Sequence, residues 1–421
     1  MHKNKRIVIV GNSAAGLAAA EAFRTSDSRS EVVLIDREAG CAYSRVVTPY
    51  YIKGTLANER ALYIRSETFY RELNIKTIFG AAVLGMDLLK RELELEGGGR
   101  EPFDLLLVAT GAFPQRPRIE GAGPEDVHVL RTLADARRLR SVKRSAIRGL
   151  FIGAGLVSLQ TLDAMFKPGD SYTLVMKSSK LLSQTLDSTA ARIIEGQLVK
   201  MGVRIVKGQD VIRIENVAGA KLVTFENGEQ VIADFVFMGK GVKPTVDWLR
   251  GSGVQIDQGI LVDSRLETNF PGIYAAGDVA QAPDFHSGRK ISAGLWPAAV
   301  EQGEIAGKNM AGGSESYAGN LKKNVSRIGG IAFASIGDFT SDRVAETLSV
   351  SDHKKDIYRK FCFDQSRILI GAVLVNRLED VGVIHGLIKG RRDAEYLRSR
   401  SSFLSYGVVY HETAMPHPEH P

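Results

Sequence analysis

Cysteine is nearly absent from this chain: Cys41 and Cys362 are the only two in 421 residues, and no Cys-x-x-Cys or similarly paired spacing occurs. That scarcity argues against a secreted disulfide scaffold and against a zinc site built on cysteine, and no metal site is expected. Long hydrophobic runs are missing too, none approaching the ~18 residues of a membrane-spanning helix. The first apolar segment begins within a few residues of Met1, leaving no room for a signal peptide, so a soluble, cytoplasmic protein with no membrane partner is expected. Aromatic residues are sparse at 7% and do not interleave with the basic clusters, so nucleic acid is not an expected partner.

The net charge of +7 is unevenly placed. Arg131, Arg137, Arg138, Arg140, Lys143, Arg144 and Arg148 are opposed only by Asp135, and a second cluster joins Lys389, Arg391 and Arg392 to Arg398 and Arg400. Such runs are either solvated helix faces or fields that steer an acidic redox partner.

What the sequence does contain is a strand, a glycine turn and a helix start, twice. Ile7-Val8-Ile9-Val10 runs into Gly11-Asn12-Ser13-Ala14-Ala15-Gly16, and Leu150-Phe151-Ile152 runs into Gly153-Ala154-Gly155-Leu156-Val157-Ser158. Small residues in such a turn let the helix pack on the strand while its N–H groups face a diphosphate. Gly11, Ser13, Ala14, Ala15 and Gly16 are the candidates in the first copy; Gly153, Gly155, Leu156 and Val157 are those in the second. Asp36 ends the next apolar run, 20 residues past Gly16, where a carboxylate accepts hydrogen bonds from an adenosine ribose; Arg37 beside it is a further candidate contact. After the second turn the corresponding strand ends in Lys177-Ser178-Ser179-Lys180, where a cation and hydroxyls can hold a 2′-phosphate, as NADPH requires, or form a solvated strand end. Two dinucleotides in one chain imply electron traffic between them.

With 44% hydrophobic and 24% charged residues, the chain is long enough for two or three domains with cores of their own. Asp104 to Gly111 reads as a central parallel strand ending at Ala109-Thr110-Gly111, followed by the extended segment Phe113 to Pro117. Phe235 to Gly239 closes the second nucleotide unit, Lys243-Pro244 marks its exit, and Pro271 to Ala280 holds a further strand.

These segments together resemble the FAD/NAD(P) pyridine nucleotide-disulfide oxidoreductase superfamily over roughly residues 5 to 395. The motifs are Gly11 to Gly16, Ala109-Thr110-Gly111, Gly153 to Ser158 and Tyr274-Ala275-Ala276-Gly277-Asp278. Cys41 to Val46, Leu295 to Gly303 and Gly371 to Val375 are similar to rubredoxin reductases, NADH oxidases and the flavin portion of assimilatory nitrite reductases. The resemblance implies an α/β fold: two Rossmann-like dinucleotide-binding domains, one inserted in the other, and a small α+β C-terminal domain. It implies an FAD-binding domain over 1–112 and 244–316, an NAD(P)-binding domain over 113–243, and an interface domain with a flexible tail over 317–421. FAD and NADP or NAD are the implied cofactors. Gly11 to Gly16 would sit at the FAD diphosphate and Asp36 on its ribose. Gly277 and Asp278 would lie at the ribityl chain, and the helix opening at Pro297 and Ala298 at the flavin pyrimidine edge, where its N-terminus stabilises negative charge. Arg45 is either a contact to the FAD phosphates or a surface arginine.

Two departures from the resemblance shape the expected function. The place where single-cysteine members keep a thiolate, three residues before the proline of Pro49-Tyr50-Tyr51, is Val46, which cannot act as a nucleophile. Gln160 occupies the place of a glutamate that relatives pair with a lysine beside flavin N5, and the loop around Thr48 and Pro49 offers no such lysine. Cys41 reads as a small apolar residue. Lys360 to Phe363 and Arg367 to Val375 form a strand pair, used by relatives for a dimer interface or a flavin cover, and a homodimer is expected. His411, His417 and His420, among prolines, read as a disordered tail rather than a metal site. The expected activity is hydride transfer from NAD(P)H to FAD and onward to a small acidic carrier of rubredoxin or ferredoxin type, without a cysteine relay. An oxidase acting on O₂ or a small molecule, and an electron-transfer subunit with a decayed nicotinamide site, are the alternatives.

Overall fold

The structure, a computed structural model, describes residues 4–393 and the backbone of the strand Val408–Thr413. It divides into two compact units, residues 1–114 with 242–320 and residues 115–241 with 321–421.

In the first unit, Val- and Ile-rich runs build a parallel sheet. The strands Ile273–Ala275, Leu105–Val108, Arg6–Val10, Glu31–Asp36 and Ile75–Phe79 lie side by side in that order. Ile7 is in register with Val32 on one side and Leu105 on the other, so the motif strand is central and buried on both faces. The helix Ala14–Ser26 returns the chain from this strand and packs along the helix Trp296–Met310. That pair depends on residues without side chains: a methyl on Gly303 would lie 2.2 Å from the Ala15 carbonyl oxygen, and one on Gly307 2.3 Å from that of Ala19. Ala112–Pro114 and Val242–Pro244, where the chain leaves and re-enters the unit, pair as antiparallel strands.

The second unit repeats the parallel plan with Arg204–Lys207, Ser171–Met176, Arg148–Ile152, Phe235–Met238 and Val127–His128. Its core is aromatic: Phe151 meets Tyr172, Phe235 and Phe237 with ring centroids 5.5–5.6 Å apart. Gly149 makes room for it, since a methyl there would lie 2.7 Å from the Phe235 ring. Residues 321–421 contribute a six-stranded antiparallel sheet, with Ile357–Phe363 and Leu369–Val375 paired inside it and the helix Val381–Lys389 against it. Arg359, 3% exposed, is neutralised by Asp380 at 2.5 Å.

The strand Val408–Thr413 pairs with Glu346–Asp352, which corrects the expectation of a disordered tail there. His411 belongs to that strand, whose backbone groups pair with those of its neighbour. His417, His420, Arg398 and Arg400 lie outside the described residues. Among the described residues no helix is long and apolar enough to cross a membrane, and no cluster of His, Cys, Asp and Glu could hold a metal.

Candidate functional site: two dinucleotide turns

The first turn is shaped by close backbone approach. Gly11 has φ +122°, and a methyl on it would lie 2.1 Å from the Ala109 carbonyl oxygen. One on Gly16 would lie 1.9 Å from the Gly11 oxygen. Both glycines are therefore required, and they press the helix Ala14–Ser26 onto the sheet. The Ser13 side chain makes no capping bond, so the N–H groups of Ala14, Ala15 and Gly16 lack intrahelical acceptors and form an anion-binding end. This cradle, which side chains would fill, fits a diphosphate.

Asp36 is aimed into the same turn by accepting hydrogen bonds from the N–H groups of Asn12 at 2.6 Å and Glu38 at 2.7 Å. Burial raises its carboxyl above the ordinary range. The two N–H groups and Arg45 oppose that rise, and the Glu38 charge adds to it. Arg45 is not a surface arginine. Its guanidinium meets Glu38 at 2.6 Å, donates to the Tyr43 hydroxyl at 2.9 Å and lies 5.1 Å from the centre of the Tyr43 ring. The Tyr43 hydroxyl donates in turn to Glu38 at 2.7 Å. Burial works against the Arg45 charge, but Tyr43, Glu38 and Asp36 outweigh it. Glu38 and Tyr43 are members of this site that sequence reasoning missed; the signal was an acid two residues after Asp36. Arg37 is exposed.

The remaining predicted residues of the first unit converge on the same end of its sheet. Ala109-Thr110-Gly111 is tied to Thr245: the Thr110 hydroxyl donates to the Thr245 carbonyl at 2.9 Å, and the Thr245 N–H donates to the Gly111 carbonyl at 2.9 Å. The Thr245 hydroxyl oxygen is itself buried with no partner among the described residues, an orphan that a bound ligand can satisfy. Gly277, φ +82°, opens the turn that carries Asp278, and its N–H donates to the Gln302 side-chain oxygen at 2.8 Å. Gln302 donates to Asn320 at 2.9 Å, and Asn320 is also held by Tyr317. This buried amide chain fixes the Asp278 turn to the helix whose first turn holds Pro297 and Ala298. Leu295 provides no side-chain cap, so that helix start also keeps unsatisfied N–H groups.

In the second unit Gly153, φ +90°, would place a methyl 2.6 Å from the Gly239 oxygen, whereas one on Gly155 would meet its nearest atom only at 4.0 Å. The first glycine is required for packing, and the second leaves space that a ligand can enter. Ser158 at the third motif position is fully buried, and its hydroxyl faces the Gly239 carbonyl at 3.4 Å. Gly239 compensates for it, because a methyl there would lie 2.0 Å from the Ser158 oxygen. Leu156 opens the helix Leu156–Met165 and Val157 is exposed beside it. Gln160 donates its amide to Ser326 at 3.0 Å. The Lys177 ammonium is held by both carboxylate oxygens of Glu226, at 2.8 and 2.5 Å, a partner the sequence reading did not include.

Neither cysteine has the environment of a reactive thiolate. Burial and the nearby Glu67 raise the Cys41 thiol, and burial pushes the Cys362 thiol up to about 12. The two lie in different units. Val46 is 53% exposed in the turn Arg45–Val47.

Comparison with known proteins agrees with this geometry. Residues 5–303 match the pyridine nucleotide-disulphide oxidoreductase family, and residues 325–392 match the rubredoxin NAD+ reductase C-terminal domain. The chain is 36% identical over 94% of its length to the epsilon subunit of the NADH-dependent phenylglyoxylate dehydrogenase of Aromatoleum evansii, and covers 94% of that subunit. It is 30% identical over 65% of its length to the rubredoxin-NAD(+) reductase of Acinetobacter baylyi, covering 72% of it. The fold matches that of a ferredoxin reductase from Rhodopseudomonas palustris with a TM-score of 0.88 at 22% identity, over 95% of this chain and 98% of that one.

Proposed function

Since the chain belongs to the pyridine nucleotide-disulphide oxidoreductase family and is an oxidoreductase, we propose that it passes electrons between a nicotinamide nucleotide and a protein-borne iron–sulfur acceptor through FAD, without a cysteine relay. The carrying observation is that both dinucleotide turns keep the first glycine, Gly11 and Gly153, packed against neighbouring backbone while Val46 stands where a nucleophile would be needed. FAD supplies hydride acceptance and one-electron release. The protein binds the diphosphate on the N–H groups of Ala14 to Gly16, holds the adenosine end with Asp36 and the Glu38–Tyr43–Arg45 group, and sets two uncapped helix starts where negative charge gathers. Gln160, bound to Ser326, serves the packing of the second unit.

A second reading has its own support. The full-length likeness to a dehydrogenase subunit favours a chain that works inside a larger complex, where electrons can also run towards NAD+. Both readings share the flavin step. The cysteine-free variant C41S/C362A tests the absence of a cysteine relay: it is expected to reduce an iron–sulfur carrier with NADH at a rate within about twofold of the parent. A loss of activity with the flavin retained would contradict the proposal, and rapid NADH turnover in air with no carrier would favour an oxidase. A homodimer is part of the proposal and is read directly from the mass in solution.

A further inference from the structure

Resting on the reading of the second turn as a nicotinamide-nucleotide site, we infer that Glu226 makes it a site for NADH and excludes NADPH. In a strand–turn–helix–strand nucleotide unit, the adenosine ribose lies at the carboxyl end of the second strand, where an acid selects the free 2′-hydroxyl and a cation selects the 2′-phosphate. Here that strand, Ser171–Met176, delivers a cation, Lys177. The acid comes from elsewhere in the chain: Glu226, in the turn of the hairpin Ala220–Phe225/Gln230–Ala233, places both oxygens on the Lys177 ammonium at 2.8 and 2.5 Å.

The hairpin turn is held in place by its backbone. The Gln209 N–H donates to the Met176 carbonyl at 3.2 Å, the Glu226 N–H to the Asp210 carbonyl at 3.0 Å, and the Asn227 N–H to the Gln209 side-chain oxygen at 3.0 Å. Glu226 is thus fixed against the strand end rather than drifting on a loop. The neighbouring cations are engaged as well. Lys240, whose side chain borders Gly153, is paired with Asp210, and Lys180 donates to the Leu186 carbonyl at 3.0 Å. A 2′-phosphate dianion would therefore meet a carboxylate and cations already committed, whereas a ribose 2′-hydroxyl can donate to the remaining lone pairs of Glu226.

The test is calorimetric titration of the flavin-loaded protein with NAD+ and, separately, NADP+. The parent is expected to bind NAD+ at least about tenfold more tightly. E226Q, which keeps the shape and releases Lys177, is expected to weaken NAD+ and strengthen NADP+, shifting their affinity ratio about tenfold or more, and E226D to restore much of the parent preference. Equal or tighter binding of NADP+ by the parent, or an unchanged ratio in a folded E226Q protein, would overturn the role of Glu226 alone. Failure of both nucleotides to bind would overturn the nucleotide site itself, and this inference with it.

Discussion

Arg45 carries a positive charge into a half-buried site, and it can do so because Glu38 and the Tyr43 hydroxyl hold it there. Removing either partner alters the proposed adenosine end of the cradle, so R45A and E38A are each expected to weaken FAD binding about tenfold or more, seen as a lower flavin-to-protein absorbance ratio after gel filtration. Full flavin retention in both variants would place the group outside the cofactor site. At this scale, legibility in the sequence depended on distance along the chain. Asp36 could be read because its spacing from Gly16 is set within one strand–helix–strand unit. The pairing of Lys177 with Glu226 could not be read, because Glu226 arrives 49 residues later on a hairpin whose register no local pattern announces. Glu38 lay in plain view, but its role needed the turn that brings Tyr43 and Arg45 back onto it.

The helix pair Ala14–Ser26 and Trp296–Met310 shows what an element contributes beyond its residues. Gly303 and Gly307 let the second helix lie against the backbone of the first, which bears the proposed diphosphate end. G303A is expected to destabilise the first unit by about 2–4 kcal/mol and to release flavin at a lower temperature, measured by flavin fluorescence on heating. A second element-scale contact is electrostatic. Asp126 bridges the two strands of the hairpin Val211–Val217/Ala220–Phe225 through Asn216 at 3.0 Å and Lys221 at 2.6 Å, and these bonds hold its carboxyl at about 2 against an ordinary 3.8. Its contribution is therefore complete above the unfolded pKa and fades as the pH falls from about 4 towards about 2. D126N is expected to cost about 1 kcal/mol at pH 7, allowing for solvent screening, with a smaller difference at pH 3, measured by denaturant unfolding at both. The central strands of both parallel sheets, the glycine turns and the strand pair around Cys362 were legible from period and composition. The strand Val408–Thr413 was not, because its place is set by pairing with Glu346–Asp352, distant in the sequence.

Across the whole molecule, the two parallel sheets repeat one plan: a central strand, a glycine turn, and a helix start left uncapped for an anion. The repetition was visible in the sequence because each copy is local. The grouping of residues 321–421 with 115–241 in one compact unit was not visible, since it depends on long-range contacts such as Gln160 to Ser326 and Asp187 to Tyr358. The proposed function requires electrons to pass between a nicotinamide nucleotide and FAD. An anaerobic absorbance titration of the flavin-loaded protein with NADH tests it most directly. Stoichiometric bleaching of the flavin band near ~450 nm is expected. Bleaching by dithionite but not by NADH or NADPH would contradict it.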